Sequence, residues 1–124
     1  MSYLAASDIK SNLAQGFDLS QYLTEADSEV VDVAEILGVR NVSEIHTPLH
    51  YKIKRYAVVF VLMRLAQDKI GTNSADIAIE KYRDLYDMYR TELKELRNQI
   101  TYEMVTDTVN SIIARTNVFN LYRG

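Results

Sequence analysis

The stretch TPLHYKIKRYAVVFVLMRLAQDKIGTN, Thr47 to Asn73, decides the fold. Thr47-Pro48 reads as a helix start, with threonine as N-cap and proline at the first helical position, where its missing N–H costs nothing. Gly71 reads as the stop. The pattern predicts a helix over Pro48–Ile70. In its middle Ile53, Tyr56, Ala57, Phe60, Leu62, Met63 and Leu65 cover more than one face. A helix that is apolar nearly all round belongs at the buried centre of a bundle. Its longest apolar run, Tyr56 to Met63, is too short to span a bilayer, and Arg55 and Arg64 bracket it.

A buried central helix needs flanking helices. Downstream, a Gly-Thr-Asn turn leads to a long helix capped by Asn73 or Ser74. Ala78, Tyr82, Leu85, Tyr89, Leu93, Leu96 and Ile100 recur there in steps of three and four, one apolar stripe over about six turns. The two long helices should form an antiparallel hairpin. Upstream, Thr24 with Asp27 resembles a capping box. It predicts a helix over Glu25–Leu37, built on Ala26, Val30, Val33, Ala34 and Leu37, closed by Gly38 and carrying acids in its first turns, where the helix dipole favours them. Before it, Ser7 caps a short helix to Gln15, stopped by Gly16. The segment Val39–Thr47 reads as a loop.

After Thr101 the residues change to β-branched ones, yet Met104/Val105, Thr108/Val109 and Ile112/Ile113 keep helical spacing. That predicts a helix over Tyr102–Ala114, then an extended tail. The fold class is therefore all-α: a small helical bundle, residues 1–101, with a long antiparallel hairpin, followed by a C-terminal helix and extended arm, 102–124. The last residues, NVFNLYRG, hold Val118, Phe119, Leu121 and Tyr122, whereas loose chain ends are usually polar.

Composition agrees with one globular domain. Of 124 residues, 48% are hydrophobic and 25% charged, with one proline and four glycines, too few breakers for a many-turned β fold. No cysteine is present, which removes disulfides, thiolate chemistry and cysteine–zinc sites. The opening residues lack the basic start and apolar core of a signal peptide. A soluble, cytoplasmic protein without membrane contact is expected. Charge is uneven. Residues 1–47 hold eight acids and two bases, net −6, while residues 48–124 hold nine acids and twelve bases, net +3. This suits like subunits meeting acidic face to basic face, but it is too weak and mixed for a nucleic-acid surface.

Chemistry is sparse. His46 and His50 are four apart, a metal-binding spacing on one helix face, but Thr47-Pro48 separates them and no third ligand is near. They read as surface or capping histidines. The glycines are isolated, so no phosphate loop exists, and Asp84/Asp87 lie beside Arg83 and Arg90 on a charged face. No catalytic residues, metal or cofactor is implied. Tyr82 and Tyr89 belong to the core stripe. Tyr86 leans off it and, with Arg83 and Arg90, is a candidate subunit contact, since tyrosine and arginine are favoured at interfaces.

Three stretches carry a family likeness: YLAASDIKSNLAQGFDLSQYL, TPLHYKIKRYAVVFVLMRLAQDKIGTN and EKYRDLYDMYRTELKELRNQIT. Over about residues 3–101 they resemble the small head–tail connector (adaptor) proteins of tailed bacteriophages. These are helical bundles that form a twelve-membered ring under the portal and continue the DNA channel toward the tail. The resemblance implies a structural protein of the virion neck, made in the host cytoplasm. Its partners would be the portal protein, further copies of itself and a tail-side neck or terminator protein, with DNA only as passing cargo. It also implies a portal-docking arm, here Arg115 to Gly124, in which Arg115, Val118, Phe119, Leu121, Tyr122 and Arg123 are the docking residues: Val118, Phe119, Leu121 and Tyr122 fill apolar grooves or add an edge strand, and Arg123 pairs with an acid. The rival reading from the residues is a cytoplasmic helical protein-interaction or regulatory module acting as a dimer. A nucleic-acid module fits the acidic pI poorly, and no nucleophile, base or metal set converges for an enzyme.

Overall fold

A computed structural model of the chain describes residues 3–11, 18–72 and 76–107. Four α-helices carry it: α1 (Ser20–Ile36), α2 (Tyr51–Thr72), α3 (Asp76–Gln99) and α4 (Tyr102–Thr106). Single 3-10 turns lie at Ala6–Asp8 and Val42–Glu44, and no strand occurs among the described residues. The architecture is the all-α bundle expected.

α2 is the centre. Ile53, Tyr56, Ala57, Val58, Val59, Val61, Leu62, Leu65 and Ala66 are all buried, with Phe60 and Met63 half-buried around them. α1 packs on one side through Ala26, Val30, Val33 and Ala34. α3 packs against α2 as well, through Tyr89 and Leu93, with Tyr82, Leu85 and Leu96 half-buried along the same stripe. Polar pairs fix the directions. Glu25 meets Arg64 and Glu29 meets Tyr56, so α1 and α2 run antiparallel. Arg55 binds Glu92, and the Lys69 ammonium lies over the Tyr82 ring, so α2 and α3 do too. The long hairpin is thereby formed.

Several boundaries differ from the sequence reading. α2 begins at Tyr51 rather than Pro48. The Thr47–Pro48 peptide bond is cis. His50 takes the cap instead: its carbonyl accepts the Lys54 N–H at 2.9 Å and its Nδ1 accepts the Lys52 N–H at 3.2 Å. At the other end the helix runs through Gly71 to Thr72. α1 begins five residues before Glu25. Asp18 accepts from both the backbone N–H and the hydroxyl of Ser20, at 3.0 and 2.7 Å. The Thr24–Asp27 box is absent, because the Thr24 hydroxyl bonds back to the Ser20 carbonyl and Asp27 receives the Tyr3 N–H. The acids of α1 consequently sit beyond its first turn.

The helix read from Ser7 to Gln15 is only the turn Ala6–Asp8 as far as Ser11. The Asp8 carboxylate takes the Ala5 N–H and pairs with Lys54 at 3.2 Å, while Leu4 and Ile9 are buried. This segment is pinned to α1 by the Tyr3 N–H on Asp27 and to α2 by Asp8 on Lys54, with Leu4 and Ile9 in the core. The rest of that helix, its stop at Gly16, and the caps at Asn73 and Ser74 lie outside the described residues.

α4 is shorter than Tyr102–Ala114. Thr101 caps it, its hydroxyl accepting the Met104 N–H, and Asp107 closes it in the left-handed region at φ 56°, its N–H bonding to the Glu103 carbonyl. Val105 is buried, so the packed body reaches Asp107. The remainder of that predicted helix and the arm with Arg115, Val118, Phe119, Leu121, Tyr122 and Arg123 lie outside the described residues.

The stop at Gly38 is as read, and its geometry is a Schellman motif. The Gly38 N–H bonds to Glu35 and the Val39 N–H to Ala34, at 3.0 and 2.9 Å, with Gly38 at φ 102° and Val39 turned into the core. A Cβ at Gly38 meets no atom within 4 Å, so only the backbone objects. Gly38→Ala should therefore lower stability by more than about 1 kcal/mol, measured by urea unfolding. Leu65→Ala, at a fully buried position, should cost about 2–5 kcal/mol. An unchanged midpoint for Leu65→Ala would show that α2 is not central.

Candidate interaction surfaces

Polar side chains bridge α1 and α2, while on α3 the buried Arg97 Nη1 has no hydrogen-bond partner among the described residues. Tyr22 donates to Asp68, and Arg64 binds Glu25 at 3.0 Å and approaches Asp68 at 4.0 Å. Tyr56 donates to Glu29 at 2.6 Å. The hydrogen bond to Asp68, with burial adding to it, pushes the Tyr22 phenol up to about 12. Burial first, then the bond to Glu29, raises Tyr56 as well. In each pair the carboxylate opposes loss of the phenol proton, so both tyrosines serve as neutral donors. The sequence reading missed these bridges: the spacing along α1 is visible, but not which side chain of α2 lies opposite.

His46 and His50 serve different ends. His50 caps α2 and its ring stacks on Tyr51, with centroids 4.5 Å apart. His46 is exposed and binds three ways. Its backbone N–H donates to the Val105 carbonyl at 2.8 Å, its Nδ1 lies 3.0 Å from the Pro48 carbonyl, and its Nε2 lies 3.3 Å from the Asp107 carboxylate. This residue ties the end of α4 to the loop before α2. Among the described residues no group of three or more His, Asp or Glu side chains could hold a metal ion.

Of the subunit-contact candidates, Arg83 and Arg90 stand exposed on α3, and Tyr86 is half-buried against the core of its own chain. No ion pair links Glu80, Arg83, Asp87 and Arg90 among the described residues. No described helix is long and apolar enough to cross a membrane.

Four exposed apolar residues gather elsewhere, while a fifth, Met88 at 52%, stands apart in the middle of α3. Ile36 and Tyr51 are each 72% exposed, Val42 56% and Tyr102 39%. The antiparallel registers put the end of α1, the start of α2 and the end of α3 together, so all four lie toward one end of the bundle. A groove of about 510 Å³ opens there between the N-terminal segment and the loop before α2. Tyr3, Val42, Ile45, Pro48 and Leu49 line it, with Lys54 at its edge. A second depression of about 330 Å³ shares Tyr3 and Val42 and adds Asp27 and Asp32. Sequence reading missed the groove because its walls come from three separated segments.

Against known proteins, the chain matches no family model, no curated protein and no solved structure.

The tyrosine bridges predict an alkaline limit. A raised folded-state value means that the stabilisation is complete below the ordinary value of 10 and is lost as pH rises through about 12. Thermal melts should fall across that window, and less steeply in Tyr22→Phe. Equal pH slopes in the two proteins would show that the Tyr22–Asp68 bond does not carry the effect.

Proposed function

We propose that the chain is a structural adaptor of a phage neck, forming a ring that joins the portal to the tail and continues the DNA channel. The observation that carries this reading is the end of the bundle where Ile36, Val42, Tyr51 and Tyr102 are exposed, beside α4, from which the chain continues. The segment that follows, 108–124, brings Val118, Phe119, Leu121 and Tyr122 as apolar side chains and Arg115 and Arg123 as positive charge. The resemblance to connector proteins supplies the partner, the portal.

The flanks of α2 favour a ring over a two-fold dimer. α1 carries no base and exposes Asp32 and Glu35, whereas α3 displays Arg83 and Arg90 among mixed charges. Two unlike flanks joined head to tail make a heterologous contact, the kind that closes into rings. A two-fold dimer would instead need one self-complementary patch.

The test combines the purified chain with a phage portal protein and images the product. Ring-shaped density on the portal is expected. Deleting Val118–Gly124 should abolish docking while the melting temperature stays within a few degrees, and Arg83→Glu with Arg90→Glu should break the ring without unfolding the monomer. A stable dimer that ignores the portal protein would overturn the proposal in favour of a dimeric interaction module. A collapse of thermal stability on truncation would assign the arm to the core.

A further inference from the structure

The main helix contacts are α1 with α2 and α2 with α3, so α1 and α3 flank a common centre. Both run antiparallel to α2 and are therefore parallel to each other. Two bonds fix their relative height. Glu29 of α1 accepts from the Tyr56 hydroxyl at 2.6 Å, and Glu92 of α3 pairs with Arg55, the adjacent residue of α2, at 2.9 Å. Glu29 and Glu92 thus lie at one level along the bundle. At about 1.5 Å per residue, Asp32 stands about 4.5 Å beyond that level on α1, and Lys94 about 3 Å beyond it on α3. Glu35 and Arg97 follow at about 9 and about 7.5 Å.

The two flanks carry opposite charge at matching heights. Asp32 and Glu35 are exposed, three residues apart on α1, and Arg90 and Lys94 are exposed, four apart on α3. None of the four has an ion pair among the described residues. Like charges at these spacings are helix-surface neighbours and repel. Each pair is therefore unfavourable within its own chain, and each supplies what the other lacks. Ile36, 72% exposed, follows Asp32 by one turn on the same face of α1. An assembly that covers the acids covers this apolar side chain as well.

We infer that copies of this chain pack side by side, the outer face of α1 in one against the basic face of α3 in the next, with Asp32 meeting Lys94 and Glu35 at the level of Arg97. Rotation about an axis parallel to the helices keeps every copy at the same height, so the match within one chain holds between neighbours. α1 and α3 lie on different sides of α2, so two copies make this contact once and leave one α1 face and one α3 face free. The contact is heterologous and repeats from copy to copy until a ring closes. It rests on the ring reading above, whose joined surfaces it names, and does not depend on the portal.

The chain has no cysteine, so single introduced thiols report the contact. Ser28 and Thr91 are exposed, each one residue before the shared level, and replacing them leaves every charge in place. The full-length Ser28→Cys and Thr91→Cys proteins are oxidised mildly at low salt, alone and mixed, and the disulfide dimers are identified by mass. The disulfide joining the two different variants should form at least about tenfold faster than either like pair. Raising salt to about 1 M should bring the three rates together, a readout that needs no further substitution. Arg90→Glu with Lys94→Glu in the Thr91→Cys protein should abolish the preference, and Asp32→Lys with Glu35→Lys in the Ser28→Cys protein should restore it. Equal rates at low salt, faster like pairs, a preference that salt leaves unchanged, or a double reversal that restores nothing overturns the inference. Like-pair crosslinks beside a ring on the portal overturn this contact and keep the ring. Unlike-pair crosslinks without portal docking keep the contact and overturn the portal reading, so the two failures are distinguishable.

Discussion

Burial of α2 from both sides is the contact on which the other elements depend. Its fully buried residues, among them Val59, Val61 and Leu65, each contribute on the order of 1.5–3 kcal/mol when withdrawn from water. α1 offers small side chains to it, Ala26 and Ala34 with Val30 and Val33. α3 offers larger ones, Tyr89 and Leu93. The polar bridges between α1 and α2 add less. An ion pair as accessible as Arg64–Glu25 is worth about 0–1 kcal/mol. Their contribution is register: Tyr22 with Asp68, Glu25 with Arg64 and Glu29 with Tyr56 suit only one alignment of the two helices.

That alignment concentrates interaction potential at one end. The end of α1, the start of α2 and the close of α3 meet there, and α4 is fastened over them by His46. Two short segments that could not form a stable unit alone are held as groove walls by this packing: the N-terminal residues through Asp8–Lys54 and Tyr3–Asp27, and the loop through His46, whose N–H bonds to the Val105 carbonyl of α4. The rest of the exterior is mixed charge. Tyr22, Glu25, Glu29, Tyr56, Arg64 and Asp68 are taken up in holding α1 to α2.

Much of the fold was legible because helical periodicity is a local property. The all-round apolar character of Ile53–Leu65 announced a central helix, and the Tyr82–Ile100 stripe announced its partner. Gly38 was readable because a left-handed residue is almost costless only for glycine. Starts were less readable. Thr47-Pro48 and Thr24/Asp27 both carry N-terminal signals, yet His50 and Asp18 hold those positions, because several nearby side chains can cap and packing chooses among them. Asp107 as the stop of α4 was hidden for a related reason: an aspartate in the left-handed region is sustained by its contact with His46, far away in the chain.

The sequence by itself determined the class of the molecule, the identity of its central helix and the stripe of α3 that covers it, since these follow from residue spacing along one helix. Tertiary structure alone decided which acids of α1 meet which groups of α2, that Leu4 and Ile9 enter the core, and that Tyr86 packs partly into its own bundle. It alone built the groove at the bundle end. The physical reason is separation along the chain. Tyr3, Val42, Pro48 and Lys54 become neighbours only after two helices have packed on a third, and no periodicity records which distant residues that packing brings together.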